Sequence, residues 1–168
     1  MLPLFQTVTD LSGGAATLRQ RAYGVIETAD ERLVGIHLRP WPKLVTVAEA
    51  WWGQRRRHER LAGNHCWLYY NQPLTSPNYL AAVYVVSNRD TTLATFHGAL
   101  VVLDEIARLK RTDAIVCEIR NSRISDRLLR RWGWAQHLAD SGRRHFIKRF
   151  YGTYPRALLP TTPLARLV

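Results

Sequence analysis

Three side chains that could take part in catalysis lie within short apolar segments that are typical of strands. They are Glu118, Cys66 and Cys117. Glu118 is a candidate general base, and its alternative role is an ion pair with Arg120 or Arg123. The cysteines are expected to be buried, reduced thiols, with Cys117 also considered as a nucleophile. No Cys/His spacing suited to a metal, Ser-His-Asp order, phosphate-binding Walker loop or paired carboxylates stand out. Metal binding, hydrolysis and kinase activity are therefore not indicated.

Positive charge dominates the chain, whose formal net charge is +11. The excess is concentrated between residues 108 and 149, where twelve Lys and Arg face four acidic residues. Such a segment attracts anions, including nucleic acid, phosphorylated cofactors and acidic proteins, or it forms a solvated face with no dedicated ligand.

Tryptophan and arginine occur together in two places, and this pairing supports a second hypothesis about function. Aromatic rings stack on bases while arginines hold phosphates, so the combination indicates binding of single-stranded nucleic acid. The alternative is that the six tryptophans pack in the core. The arginines concerned are Arg55 and Arg56, beside Trp51 and Trp52, and Arg127, Arg130 and Arg131 on a predicted helix.

Length and hydropathy predict one domain without a membrane segment. The longest apolar runs, 80–86 and 99–103, are far shorter than the ~18 residues of a membrane span. Residues 1–5 lack the basic start and long apolar core of a secretory signal. We therefore expect a cytoplasmic protein: a loosely held segment 1–20, a single domain 21–151 and an irregular, Pro-containing tail 152–168.

Hydrophobic periodicity predicts an α/β domain. Alternating or continuous apolar runs bounded by Pro, Gly and Asn indicate strands, and apolar residues three and four apart indicate helices. The segment 79–87 is apolar at both its odd and its even positions, so both faces of the strand are apolar. It is therefore predicted to be a central strand that is covered on both faces. The predicted strands are 21–27, 32–38, 66–70, 79–87, 114–119 and an edge-like 144–150; the predicted helices are about 47–61, from Thr92 or Thr95 to about 111, and 126–136.

The C-terminal half resembles the GNAT superfamily of acyltransferases. The match covers residues 82–151, with the helix Ala99–Leu109 and the strand Asp113–Ile119 similar to that family's cofactor-binding helix and its next strand. Residues 121–134, ending in Gly133-Trp134, resemble its Asn-containing turn, helix and Gly-aromatic pair. The resemblance implies a mixed, twisted β-sheet with helices on both faces.

The resemblance also implies a ligand, acetyl-CoA or another acyl-CoA, and an amine that accepts the acyl group. In the family, a Gly-rich turn between a splayed strand and the next helix holds the pyrophosphate with backbone N–H groups. The positions implied for the coenzyme here are Val86, Asn88, Arg89, Thr92, Thr95, His97 and Asn121.

Two family features are absent from this chain. Thr92, Thr95 and His97 stand where a Gln or Arg and two small residues are expected, and Leu129 replaces a tyrosine that protonates the leaving thiolate. Tyr84 is a substitute proton donor, as are His145 and Tyr151, with Glu118 as the base. Three functions stay open: an acyltransferase, a non-catalytic domain that binds nucleic acid through its basic face, and a CoA sensor without turnover.

Overall fold

The computed structural model describes residues 5–42, 62–120, 122–138 and 142–155. These residues form a mixed α/β structure with eight strands and three helices. The helix predicted at 47–61 lies outside the described residues. The elements are β1 (Gln6–Val8), α1 (Ala15–Gln20), β2 (Tyr23–Ala29), β3 (Arg32–Arg39), β4 (His65–Asn71), β5 (Tyr79–Ser87), α2 (Leu93–Lys110), β6 (Ala114–Glu118), α3 (Asp126–Arg131), β7 (Ala135–His137) and β8 (His145–Arg149).

One sheet contains all eight strands, in the order β1-β3-β2-β4-β5-β6-β8-β7. Every neighbouring pair is antiparallel except β5 and β6, which run parallel. A parallel pair needs a crossover connection, and here α2 supplies it. The strand–helix–strand unit therefore sits at the centre of an otherwise antiparallel sheet.

The helix α2 is the main cover of the sheet. Its apolar residues recur at spacings of three and four, which places Phe96, Leu100, Leu103 and Ala107 on a buried stripe. The helix packs against β2, β3, β4 and β6, and α1 packs against α2. None of the described helices is long and apolar enough to cross a membrane.

The sequence located most of these elements to within two residues. The strands predicted at 21–27, 32–38, 66–70, 79–87, 114–119 and 144–150, and the helix predicted at about 92–111, are confirmed. Within the N-terminal segment that the sequence predicts to be loosely held, residues 6–8 form β1 and residues 15–20 form α1. Leu11 and Leu18 of this segment are buried in the core, so apolar contact fixes its position.

The helix predicted at 126–136 is too long, because α3 ends at Arg131. Gly133 adopts φ +85°, and the N–H groups of Gly133 and Trp134 donate to the carbonyls of Arg130 and Leu129. This is a Schellman motif, in which a left-handed glycine closes the helix and an apolar contact seals it. The chain then continues as β7.

Two predictions about strand environment are also wrong. The strand predicted as edge-like, β8, lies between β6 and β7, and both Phe146 and Ile147 are buried. The strand β5 is central, as predicted, but it is not covered on both faces, since Val83 is 42% exposed. Val83 is exposed because β5 pairs with β6 only as far as Ala82.

The ring of Tyr70 lies in the core against Gly24, its partner on β2. Only glycine leaves room for the ring at that position. A Cβ on Gly24 would lie 2.7 Å from Cε1 and Oη of the tyrosine ring. Tyr70 is fully buried, and its hydroxyl has no hydrogen-bond partner among the described residues. A buried hydroxyl without a partner lowers stability by roughly 1–3 kcal/mol.

We therefore expect Tyr70→Phe to raise the midpoint of thermal unfolding by about 2–4 °C for each kcal/mol gained. The matched control is Tyr154→Phe, because the Tyr154 hydroxyl donates to the carbonyl of Thr112 at 2.9 Å and its loss should lower the midpoint. Circular dichroism melts of both variants test the expectation. A lower midpoint for Tyr70→Phe would show that its hydroxyl has a stabilising partner.

Candidate functional site

A cleft opens where the two parallel strands β5 and β6 stop pairing. Their register runs from Tyr79 opposite Ala114 to Ala82 opposite Cys117, and it ends there. The strand β5 continues to Ser87, paired only with β4. The gap lies at the carboxyl ends of the parallel strands, which is where ligands bind in α/β sheets.

A β-bulge at Val83 accompanies the separation. Tyr70 pairs with Ala82 and Tyr69 pairs with Tyr84, so Val83 is an extra residue in β5. A bulge bends its strand and increases the local twist. The bulge lies one residue beyond the last β5–β6 pair, and it turns the second half of β5 away from β6.

The cleft has a volume of about 570 Å³. One wall is the separated part of β5, the opposite wall is the end of β6 with the residues that follow it, and the first turns of α2 close one side. Its lining includes Ala82, Val83, Tyr84, Val85, Ser87, Thr91, Thr92, Leu93, Phe96, Leu100, Cys117, Glu118, Arg120, Arg123, Ile124, Leu129 and Trp134. This size suits a small molecule.

The N-terminus of α2 lies at the cleft and favours anions. The Thr92 side chain caps the helix by accepting from the N–H of Thr95 at 3.1 Å. The N–H groups of Leu93 and Ala94 have no hydrogen-bond acceptor among the described residues. Free N–H groups and the helix dipole together attract negative charge. No acidic residue occupies the first turn of α2 to offset this attraction.

Asn88 shapes the turn that links β5 to α2. Its side-chain oxygen accepts from the N–H groups of Asp90 and Thr91 at 2.9 and 3.0 Å, and its amide donates to the carbonyl of Gly63 at 2.8 Å. Asn88 therefore holds the loop in place rather than standing in the cleft wall. Arg89 is exposed on this loop, and Val86 is fully buried in the sheet.

Thr95 was expected to contact the coenzyme, and the structure places it at a buried junction instead. Its hydroxyl accepts from the backbone N–H of Glu31 at 3.0 Å, and its carbonyl accepts from the Thr28 hydroxyl at 3.0 Å. Asp30 and Glu31 form the β2–β3 turn with positive φ angles. Thr95 therefore fastens the start of α2 to a strained turn.

His97 also lies outside the cleft lining. Its ring stacks on Trp132, with 4.3 Å between the ring centroids. Burial, together with the positive charge of Lys148, lowers the pKa of His97 to about 4, so the imidazole is neutral near pH 7. Lys148 makes a buried ion pair with Asp104 at 2.6 Å. This cluster joins α2 to α3 and β8.

Glu118 and Tyr84, the two candidate catalytic residues, both line the cleft. Glu118 lies 3.0 Å from Arg120 Nε and 4.0 Å from Arg143. The hydrogen bond from Arg120 is the main reason that the pKa of Glu118 is lowered. A carboxylate held in this way is a weaker base than a free one. The ion pair with Arg120 that the sequence offered as its alternative role is present, and Arg143 is a further partner that the sequence did not indicate.

Cys117 is not activated as a nucleophile. Burial raises the pKa of its thiol to about 12, and the thiolate is the reactive form. Cys66 is buried as well, and its pKa is also raised to about 12. Within the described ranges, no group of three or more His, Cys, Asp and Glu side chains is arranged to hold a metal ion.

The candidate residues for anion binding fall into two groups. Arg127, Arg130 and Arg131 are exposed on α3, whereas Arg55, Arg56 and Asn121 lie outside the described residues. Near the cleft, Arg120 and Arg123 contribute to its lining.

Sequence reasoning missed the inner wall of the cleft. Leu68, Phe96, Leu100 and Trp134 line it. The first three were interpreted only as strand or helix-stripe residues, and Trp134 as part of the Gly-aromatic pair or as a core tryptophan. The pattern that carried a signal was the apolar stripe of α2, which predicts burial but does not distinguish a packed core from a cleft wall. Leu68 comes from β4, and nothing in the local sequence links that strand to α2.

We expect Thr95→Val to lower the free energy of unfolding by about 1–3 kcal/mol, because the N–H of Glu31 loses its acceptor. Chemical denaturation measures the change, with the exposed Thr153→Val as control. A variant of unchanged stability that binds ligand more weakly would instead place the Thr95 hydroxyl at the ligand.

Comparison with protein families, curated proteins and solved structures gave no match for this chain. Function must therefore be inferred from the cleft. Its two informative features are the separation of β5 from β6 and the N-terminus of α2 beside the gap.

Proposed function

We propose that the cleft binds acyl-CoA and that the protein transfers the acyl group to an amine, on a GNAT-like fold. The observation that carries the proposal is the opening between the parallel strands β5 and β6 with the N-terminus of α2 at its side. The opening accepts a narrow, largely apolar arm, and the helix N-terminus attracts phosphate. Pantetheine and pyrophosphate are such an arm and such an anion.

The strand order supports the proposal. From β4 to β7 the sheet runs β4-β5-β6-β8-β7, with one parallel pair bridged by α2. The helix and strand that carried the sequence resemblance are α2 and β6, the two elements that flank the cleft with β5. The resemblance and the cleft therefore point to the same part of the chain.

The missing glycines do not remove the anion site. Thr92 acts as a helix cap, and Thr95 points into the core, so neither side chain covers the N–H groups of Leu93 and Ala94. The exposed Arg89 adds positive charge on the loop before the helix. These features replace a Gly-rich turn with a threonine-capped helix start.

The transfer reaction needs few groups from the protein. The acceptor nitrogen attacks the thioester carbonyl, the C–N bond forms, the C–S bond breaks, and the acceptor's proton ends on the departing sulfur. Leu129 cannot donate a proton, so Tyr84 is assigned this role because its side chain lines the cleft. Glu118, held by Arg120, positions the acceptor, which loses its extra ammonium proton to solvent before the neutral amine attacks.

Leu93→Glu tests the proposal directly. Leu93 is exposed, lines the cleft and begins α2. Glutamate in a first helical turn is favourable for folding, but its charge repels an anionic ligand. We expect CoA and acetyl-CoA to bind the unmodified protein in calorimetric titrations and to bind the variant roughly tenfold more weakly or worse.

Leu93→Gln is the matched control, because it removes the same apolar side chain without adding charge. Equal affinities of Leu93→Glu and the unmodified protein would argue against coenzyme phosphate at this helix start. No binding of CoA or acetyl-CoA up to millimolar concentration, with the protein stripped of nucleic acid, would refute the proposal.

A second candidate function is binding of nucleic acid, which the exposed outer face of α3 favours. Arg127, Arg130 and Arg131 are all exposed on this six-residue helix. Three exposed arginines on one short helix concentrate positive charge that can neutralise several phosphates.

For this function, we expect single-stranded RNA to bind with an affinity that falls steeply with salt. Replacing all three arginines by glutamine should reduce the slope of log K against log salt by about 3 × 0.7, or roughly 2. Fluorescence anisotropy with labelled RNA provides the measurement. An unchanged slope would exclude this face, and RNA binding without CoA binding would favour this function over acyl transfer.

A further inference from the structure

The floor of the cleft, defined as its deeply buried inner wall, is largely apolar, and its one polar atom among the described residues is the indole Nε1 of Trp134, whose N–H has no hydrogen-bond partner there. Each of its residues is less than one-tenth exposed, although each lines the opening. They come from four different parts of the chain: β4, α2, the residues around α3 and the turn before β7. The residues are Leu68, Phe96, Leu100, Ile124, Leu129 and Trp134.

The other polar groups lie toward the mouth, and the hydroxyl of the buried Thr91 is satisfied because it donates to the carbonyl of His65. Ser87, Thr91 and Thr92 lie at the end of β5 and the start of α2, and Glu118 and Arg120 lie at the end of β6. Leu129 leaves the floor without the hydroxyl that the resembling family carries at this position. The cleft therefore has a charged and hydrogen-bonding entrance and an interior suited to hydrocarbon.

An apolar row along α2 runs from the mouth to the floor and is longer than a two-carbon acyl group. Leu93, which is exposed at the mouth, begins this row, and the buried Phe96 and Leu100 continue it onto the floor. Seven residues of helix separate the first from the last, which corresponds to about 10 Å at 1.5 Å per residue. With pantetheine in the opening between β5 and β6, an acetyl group would contact only one part of the wall formed by α2 and leave the rest against water.

We infer that the acyl donor carries a medium-length hydrocarbon chain, of about six to ten carbons, seated on this floor. The inference rests on the proposed function. The chain lies against Phe96, Leu100 and Leu129, and the thioester stays near the mouth beside Tyr84. Apolar surface removed from water supplies the preference for a longer chain over acetyl.

The test is a series of thioesters titrated into the unmodified full-length protein. The series comprises CoA, acetyl-, butyryl-, hexanoyl-, octanoyl-, decanoyl- and dodecanoyl-CoA, each below its micelle concentration, with binding measured by calorimetry. We expect Kd to fall about fourfold for each added methylene until the floor is filled, and then to level off.

Leu100→Phe should move this levelling to a shorter chain, because it adds volume at the floor. Leu109→Phe is the matched control, since Leu109 is on the same helix and similarly buried, but lies outside the cleft lining. The series on the unmodified protein decides the inference even if a variant does not fold.

The outcomes separate this inference from the function on which it rests. Binding of CoA and all thioesters with the same Kd overturns the chain inference and leaves acyl-CoA binding intact. Binding of no thioester overturns the proposed function and, with it, the acyl-donor chain. In that case, titration of decanoate alone shows whether the floor binds a hydrocarbon chain that is not attached to CoA.

Discussion

The end of pairing between β5 and β6 is the constraint on which the rest of the site depends. Parallel strands share hydrogen bonds only while they stay about 4.8 Å apart, and these two separate after Ala82 and Cys117. The bulge at Val83 turns β5, and β4 keeps that strand paired on its other side. The opening is therefore built into the sheet without leaving an unsupported strand.

The helix α2 converts this opening into a cleft with two ends of different character. Its N-terminus supplies free N–H groups beside the mouth, and its apolar stripe supplies part of the floor. The position of the helix start is fixed by Thr95, which joins it to the β2–β3 turn. The buried pair of Asp104 with Lys148, and the stack of His97 on Trp132, fix the side of α2 toward α3 and β8.

Charge is distributed to match this division. Arginines lie at the end of β6 and on α3, whereas the inner wall carries none. Because Glu118 is held by Arg120, the mouth keeps a net positive charge next to the helix N-terminus. A ligand with an anionic part and an apolar part would contact both regions, and this is the basis on which we propose acyl-CoA, and not a purely anionic ligand, for the cleft.

The sequence by itself determined the elements and their order. Periodicity and turn residues located β2 to β6, α2 and β8, since these signals depend on neighbours within a few positions. It failed where the outcome depends on distant contacts. Gly133 ended α3 earlier than the apolar pattern indicated, and β8 became an interior strand because β7 pairs with it.

The candidate site divides in the same way. Glu118 was identified from its type and position, and Tyr84 and Thr92 through the resemblance to the GNAT superfamily, and the structure brings all three to one cleft. Thr95 and His97 were assigned to the coenzyme through the same resemblance, yet both contact other partners. Helical spacing fixes which residues share a face, but only the packing of β2, β3 and β8 decides what that face meets. The apolar floor was decided by tertiary structure alone, because its residues are far apart in the chain and become one surface only on folding.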